Sequence, residues 1–162
     1  MTETTRPVNL ARAAEVLALC GIQYEVDPGG NPCFWLPAAE GDPAAFLGWL
    51  TCTDVALTVY GGLEVLYNTG AGRINDLLIG YQREFWAPTG YSDEYEDGVR
   101  VYGRAPFHVA AGASDRQLVA WIALALDAVQ EFARLLHRGL CPPPPDGDDV
   151  ISAEDLERWL DE

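Results

Sequence analysis

The chain has 162 residues, 49% of them apolar and 10% aromatic, which is enough for one domain with a substantial core. Its formal net charge is −15, and it contains no lysine, so all ten positive charges are arginine. A surface that binds nucleic-acid phosphates directly needs clustered Lys and Arg. The composition therefore argues against direct nucleic-acid binding.

The apolar segments and the cysteines indicate the subcellular location and the capacity for metal binding. No segment reaches the roughly 18 consecutive apolar residues of a membrane span, and the first residues lack the pattern of a signal peptide, so we expect a cytosolic protein without membrane contact. The four cysteines (Cys20, Cys33, Cys52 and Cys141) contain no CxxC pair and are expected to be free thiols. Only His137 and Cys141 show metal-like spacing, with Cys33 and Cys52 as further conceivable ligands, whereas zinc sites generally show two short-spaced pairs. We expect neither a metal nor a cofactor.

The first quarter of the chain predicts a helix followed by strands. Residues 8–20 place apolar side chains at helical spacing, and Gly21 is a suitable stop. Residues 22–26 and 33–36 are separated by a turn rich in Gly, Pro and Asn, which predicts a hairpin. Residues 46–53 alternate in polarity and predict a third strand.

The next segment is ambiguous. Residues 54–72 begin with β-forming residues and continue with a helical spacing that Gly70 and Gly72 interrupt, so this stretch stays unassigned. Residues 73–79 predict a helix.

A strand pair is predicted at 83–87 and 99–109, joined by an acidic loop at 91–98. Alternation in the second strand gathers polar and aromatic side chains on one face, namely Arg100, Tyr102, Arg104 and His108. In an acidic chain, this strip is a candidate recognition surface for an acidic or extended peptide. The alternative is an ordinary solvent face whose arginines pair with Glu84 or Asp97 across the hairpin.

The longest helix is predicted at 114–137, where apolar residues recur at alternating steps of four and three. Ser114-Asp-Arg-Gln117 predicts a capping box, and Gly139 ends the helix. Trp121 and Leu124 belong to an apolar surface wider than one stripe, which predicts cover by the sheet and by a second subunit. Trp121 is therefore a candidate residue for a homodimer interface.

The C-terminal segment differs in composition from the body. Residues 1–140 form the predicted α/β domain, residues 141–151 a Pro-rich acidic linker, and residues 152–162 a short acidic amphipathic helix. Leu156, Trp159 and Leu160 share one side of that helix, at the spacing of a helix laid into an apolar groove. We expect a docking arm, and a frayed acidic tail is the alternative.

Four short motifs carry a family resemblance: residues 14–27, Arg73-Ile-Asn75, Asp97-Gly-Val-Arg-Val101 and residues 112–118. They resemble the YbjN-type family, whose domains are similar to type III secretion chaperones, and the likeness covers residues 8–138. The resemblance implies an α+β fold of αβββαββα type, in which an antiparallel sheet packs against an N-terminal and a long C-terminal helix. It further implies a dimer and protein binding, with no catalytic residues to transfer.

Two functions compete. The leading hypothesis is a non-catalytic protein-binding domain of the chaperone or adaptor class, which holds a peptide or protein partner on its sheet or dimer surface. The alternative is an acidic inhibitor or immunity-type protein that blocks a basic site on an enzyme or nucleic-acid-binding protein. No nucleophile or phosphate-binding motif predicts an enzyme.

Overall fold

A six-stranded antiparallel sheet forms the centre of the structure, a computed structural model that describes residues 4–85 and 87–142. In chain order the elements are α1 (Leu10–Leu19), β1 (Tyr24–Val26), β2 (Pro32–Leu36), β3 (Phe46–Cys52), β4 (Ala56–Leu63), α2 (Ala71–Glu84), β5 (Thr89–Tyr95), β6 (Gly98–His108) and α3 (Asp115–Leu140). The strand order in the sheet is β1-β2-β3-β4-β6-β5. The predicted α+β fold, with its N-terminal and long C-terminal helices, is confirmed.

The three helices among the described residues lie on the same face of the sheet. Leu17 of α1 and Val129 of α3 join Val59 of β4 in the main buried cluster. Leu78 of α2 and Phe132 of α3 belong to a second cluster, beneath the β5–β6 end of the sheet. Burial of these apolar side chains holds the helices on one side, and no described helix covers the opposite face of the sheet.

The ends of α1 and α3 follow local rules. The side chain of Asn9 accepts a hydrogen bond from the Arg12 N–H at 2.9 Å and caps α1, and Gly21 leaves the helix with a φ of 75°. The predicted capping box of α3 is present, because Ser114 and Gln117 each bond the other's backbone. In the described chain, no helix is long and apolar enough to cross a membrane.

The segment at 54–72, which the sequence pattern left unassigned, contains a strand. β4 lies within it, so four strands precede α2, where the resemblance implied three. A side chain at Gly61 would collide with the ring of Phe46, and one at Gly62 would collide with the carbonyl of Val101. Close packing therefore requires two glycines here, and they interrupt the alternation by which a strand is recognised.

The strand predicted at 83–87 is wrong, as is the loop predicted at 91–98. Residues 83 and 84 end α2, and the ring of Phe85 stacks on that of Tyr81 at 4.8 Å, which is helix-end packing. The true strand is β5, and only Glu96 and Asp97 form the turn to β6. β5 is an edge strand, where acidic side chains of low β-propensity are tolerated.

Candidate functional site

The face of the sheet opposite the helices is the candidate site, and we call it the open face. Its central side chains are Trp49, Tyr60, Tyr91, Arg100, Tyr102 and Arg104. They share a face because Trp49 pairs with Tyr60, Tyr60 with Arg104, and Tyr91 with Tyr102 across neighbouring strands. The site therefore draws on four strands, β3 to β6.

Four aromatic rings meet at the centre of the open face. Trp49 stacks on Tyr60 with ring centroids 5.1 Å apart and planes 4° from parallel. Tyr102 meets the edge of Trp49 at 5.3 Å and lies 5.4 Å from Tyr91. Such pairs contribute roughly 0.5–1.5 kcal/mol each beyond their buried area, and we call these four rings the aromatic platform.

Tyr102 is the centre of this platform. Only 4% of its surface is exposed, although the sequence placed it on a solvent-facing strip. Burial, together with the neighbouring hydroxyl of Tyr95 at 3.4 Å, raises the pKa of Tyr102 to about 12, while Arg100 acts in the opposite direction. Burial also raises the pKa of Tyr91, with Asp93 adding to the effect. Both phenols therefore remain neutral at physiological pH.

The two arginines of the open face have no carboxylate partner in the described chain. None of the four ion pairs between described residues includes Arg100 or Arg104. The alternative interpretation of this strand face, in which its arginines pair with Glu84 or Asp97, is therefore not observed. The guanidinium carbon of Arg100 lies 5.5 Å from the ring centre of Tyr95, and its Nε is buried without a hydrogen-bond partner. Buried polar groups normally have partners, so the hydrogen bonding of Arg100 is incomplete among the described residues.

The other predicted site residues lie apart from this centre. His108 is exposed on the same face, but at the far end of β6, roughly 26 Å along the strand from Arg100. Trp121 lies on the helix side, where its ring stacks on Phe107 at 5.7 Å with planes 8° apart. The structure therefore brings together Arg100, Tyr102 and Arg104, but not Trp121. Leu156, Trp159 and Leu160 lie outside the described residues, as do the predicted helix at 152–162 and all but the first two residues of the linker.

Sequence reasoning missed three residues of the platform, Trp49, Tyr60 and Tyr91. Tyr60 fell in the unassigned segment and Tyr91 in the mispredicted loop. Trp49 lay in a predicted strand, and the alternation of that strand was the one signal that could have placed its ring on a face. Their convergence depends on register between strands that are distant in sequence.

A second surface feature lies at the β1 edge of the sheet. A cleft of about 780 Å³ is lined by the end of α1, by Tyr24 and Glu25 of β1, and by Trp35 of β2. The indole of Trp35 is 48% exposed, and its N–H donates to a carboxylate oxygen of Glu64 at 3.3 Å. This edge offers apolar contact area next to β1, whose outer side pairs with no described strand.

The conceivable metal ligands are not assembled. Cys33, Cys52, Cys141 and Cys20 are free thiols, and His137 contacts the hydroxyl of Tyr67 through Nδ1 at 3.2 Å. Among the described residues, no group of three His, Cys, Asp or Glu side chains is placed to hold a metal ion.

Comparison with known proteins shows similarity in fold alone. No family model matches the sequence, and no curated protein matches it. The structure is similar to the crystal structure of YbjN from E. coli, a candidate transcription regulator, with a TM-score of 0.63 and 12% identity over 78% of this chain and 89% of that chain. It also matches the ExsC–ExsE complex with a TM-score of 0.47 and 22% identity over 78% of this chain and 91% of that chain.

Proposed function

From the YbjN-like fold of this chain, which confirms the resemblance drawn from its sequence, we propose a non-catalytic protein-binding domain of the chaperone or adaptor class. The domain holds a protein or peptide partner on its open face. The observation that supports this proposal is the aromatic platform flanked by Arg100 and Arg104, on the side of the sheet that carries no described helix. Tyr, Trp and Arg are the side chains that contribute most to protein interfaces.

The chemistry of the open face defines the partner. A group of aromatic rings takes apolar and aromatic side chains, and an arginine without a counter-ion takes a carboxylate, often through two hydrogen bonds. We therefore propose a partner segment that combines acidic with apolar residues. Such a segment is suited to a surface on which two arginines without an ion pair to a described residue lie beside aromatic rings.

Two matched charge reversals test this function. Arg104→Glu changes an exposed arginine of the open face, and Arg116→Glu makes the same change at an exposed position of α3. Each protein is used to capture partners from the native host, and captured proteins are quantified by mass spectrometry and titrated after purification. We expect at least one partner to bind Arg104→Glu about tenfold or more weakly than wild type, and Arg116→Glu normally. If both variants retain every partner equally, the open face is not the binding site.

The net charge of −15 supports a second candidate, the acidic inhibitor that occupies a basic site of its target. Binding of that kind weakens steeply with salt, because it depends on long-range attraction between opposite charges. Binding through the aromatic platform depends less on salt. A steep salt dependence, combined with normal binding by Arg104→Glu, would favour the inhibitor.

We also propose that the protein is a cytosolic homodimer. The sequence argument for a dimer was the wide apolar surface of α3, and part of that width is explained within the subunit by the stacking of Trp121 on Phe107. Leu124 remains 64% exposed on α3 and supports a further contact. Sedimentation at micromolar concentration should give twice the mass of the 17.7 kDa chain, and Leu124→Glu should shift the equilibrium to monomer. A wild-type monomer would contradict the dimer.

A further inference from the structure

We propose that residues 143–162 of this same chain occupy the open face when no partner is bound, an inference that rests on the proposed function. The segment would act as an internal competitor that the partner must displace. Three features support it: where the described chain ends, how far the segment reaches, and which surface complements its charge.

The described chain ends beside the β5–β6 hairpin. Leu140 and Cys141 line a cavity of about 430 Å³ together with residues 66–69, and Arg73 donates a hydrogen bond to the carbonyl of Gly139 at 3.1 Å. Residues 67–69 also line the neighbouring cleft against residues 94–99 of the hairpin. Tyr67 and Val99 exchange backbone hydrogen bonds of 2.8 and 3.0 Å, which fixes this junction. The segment therefore starts near the end of the sheet that carries Tyr95 and Arg100.

The segment is long enough to reach the open face. Residues 143–151 alone extend to about 30 Å at roughly 3.3 Å per residue, whereas layers of a domain pack about 10 Å apart. The prolines at 143–145 favour an extended backbone over a return toward α3. Leu156, Trp159 and Leu160 can therefore arrive at the platform with residues to spare.

Charge and aromatic surface together favour the open face over the other surfaces. Residues 143–162 carry eight carboxylates and one arginine, and the remainder of the chain is itself acidic. Arg6, Arg12, Arg134 and Arg138 already contact Asp or Glu side chains. Arg73, Arg83, Arg116, Arg100 and Arg104 form no ion pair with a described residue, and the first three lie on helices. Arg100 and Arg104 alternate along one strand beside half-buried and exposed rings that Trp159 would cover. A tethered segment competes at an effective concentration in the millimolar range, so weak docking is sufficient.

Reciprocal substitutions in the full-length protein test the docking by NMR. Trp159→Ala should shift the indole resonance of Trp49 and the side-chain resonance of Arg104, and Arg104→Glu should shift the indole resonance of Trp159. Arg116→Glu is the matched control and should leave Trp159 unchanged. Arg104→Gln provides a milder second variant in case the charge reversal impairs folding. If neither Arg104 variant moves Trp159 in a folded protein, the proposal is overturned.

The same spectra identify which copy the segment occupies. Docking within one chain gives shifts that do not change over about a tenfold range of protein concentration and that persist in the Leu124→Glu variant, which should be monomeric, whereas docking on a second copy is lost in that variant and overturns the proposal. No partner is present in this NMR experiment. The docking proposal can therefore be overturned while the capture experiment with Arg104→Glu supports the proposed function, and the docking proposal can hold while the capture experiment contradicts that function. Once a partner is purified, Trp159→Ala should raise its apparent affinity about twofold to tenfold, because the face is already free.

Discussion

Arg134 is the opposite case to Arg100, since it has a carboxylate partner. Its Nε and Nη2 donate to the two oxygens of Asp42 at 2.9 and 3.1 Å, which ties the loop before β3 to α3. The bonds from Arg134 hold the pKa of Asp42 below its ordinary value of 3.8. Arg134 therefore stabilises the fold through an ion pair, whereas Arg100 and Arg104 form no ion pair with a described residue.

Removing the Asp42 charge should destabilise the protein in a pH-dependent way. Because the folded pKa of Asp42 is depressed, its contribution is present above pH 3.8 and is lost as the pH falls through the folded value. Asp42→Asn should therefore lower the free energy of unfolding at neutral pH by about 1 kcal/mol, with a smaller difference from wild type in acid. Urea titrations at several pH values measure this, with the exposed Asp76→Asn as control. A constant difference at all pH values would show that the ion pair is not the cause.

At the scale of elements, Phe132 shows how α3 approaches the sheet. Its ring lies against Gly90 of β5 and Gly103 of β6, which face each other in register. A side chain at Gly90 would collide with this ring and with Leu78, and one at Gly103 would come within 2.7 Å of the ring. The two glycines form a depression in the sheet that receives one helix residue.

Filling that depression should destabilise the protein. Gly90→Ala should lower the free energy of unfolding by about 1–3 kcal/mol, because the core around Phe132 has no room for another methyl group. Gly80→Ala is the matched control in α2, where the added carbon meets open space, and it should raise stability by about 0.5–1 kcal/mol. Chemical denaturation measures both. Equal effects of the two substitutions would mean that the depression does not constrain packing.

The elements that the sequence predicted are those fixed by local signals. α3 was predictable because its capping box and apolar repeat lie within one continuous segment. β4 and β5 were not, because one has glycines imposed by neighbouring strands and the other has acidic residues allowed by its edge position. For the same reasons, the sequence patterns did not place Tyr60 and Tyr91 on the open face. Arg100, Tyr102 and Arg104 were found because they alternate along one strand.

At the scale of the whole molecule, the two faces of the sheet differ in burial and in composition. The helix-covered face contains the two buried clusters and supplies most of the stability. The open face contains the aromatic rings and two arginines that form no ion pair with a described residue. Under the proposed function, substitutions such as Arg104→Glu therefore alter recognition while the fold is retained, which makes this face suitable for mutational analysis.

The strand order predicts that β4 and β6 are the strands most resistant to local unfolding. β4 pairs with β3 and β6, β6 pairs with β4 and β5, and α3 crosses both, whereas β1 is a three-residue edge with every residue exposed. Amide hydrogens in β4 and β6 should exchange with deuterated solvent only when the entire domain unfolds, while those of β1 should exchange through fraying that leaves the rest intact. Mass spectrometry of exchange at increasing denaturant should show two classes of amide, with denaturant-sensitive exchange in the central strands. Equal protection of β1 and β4 would instead mean that the sheet opens as one cooperative unit.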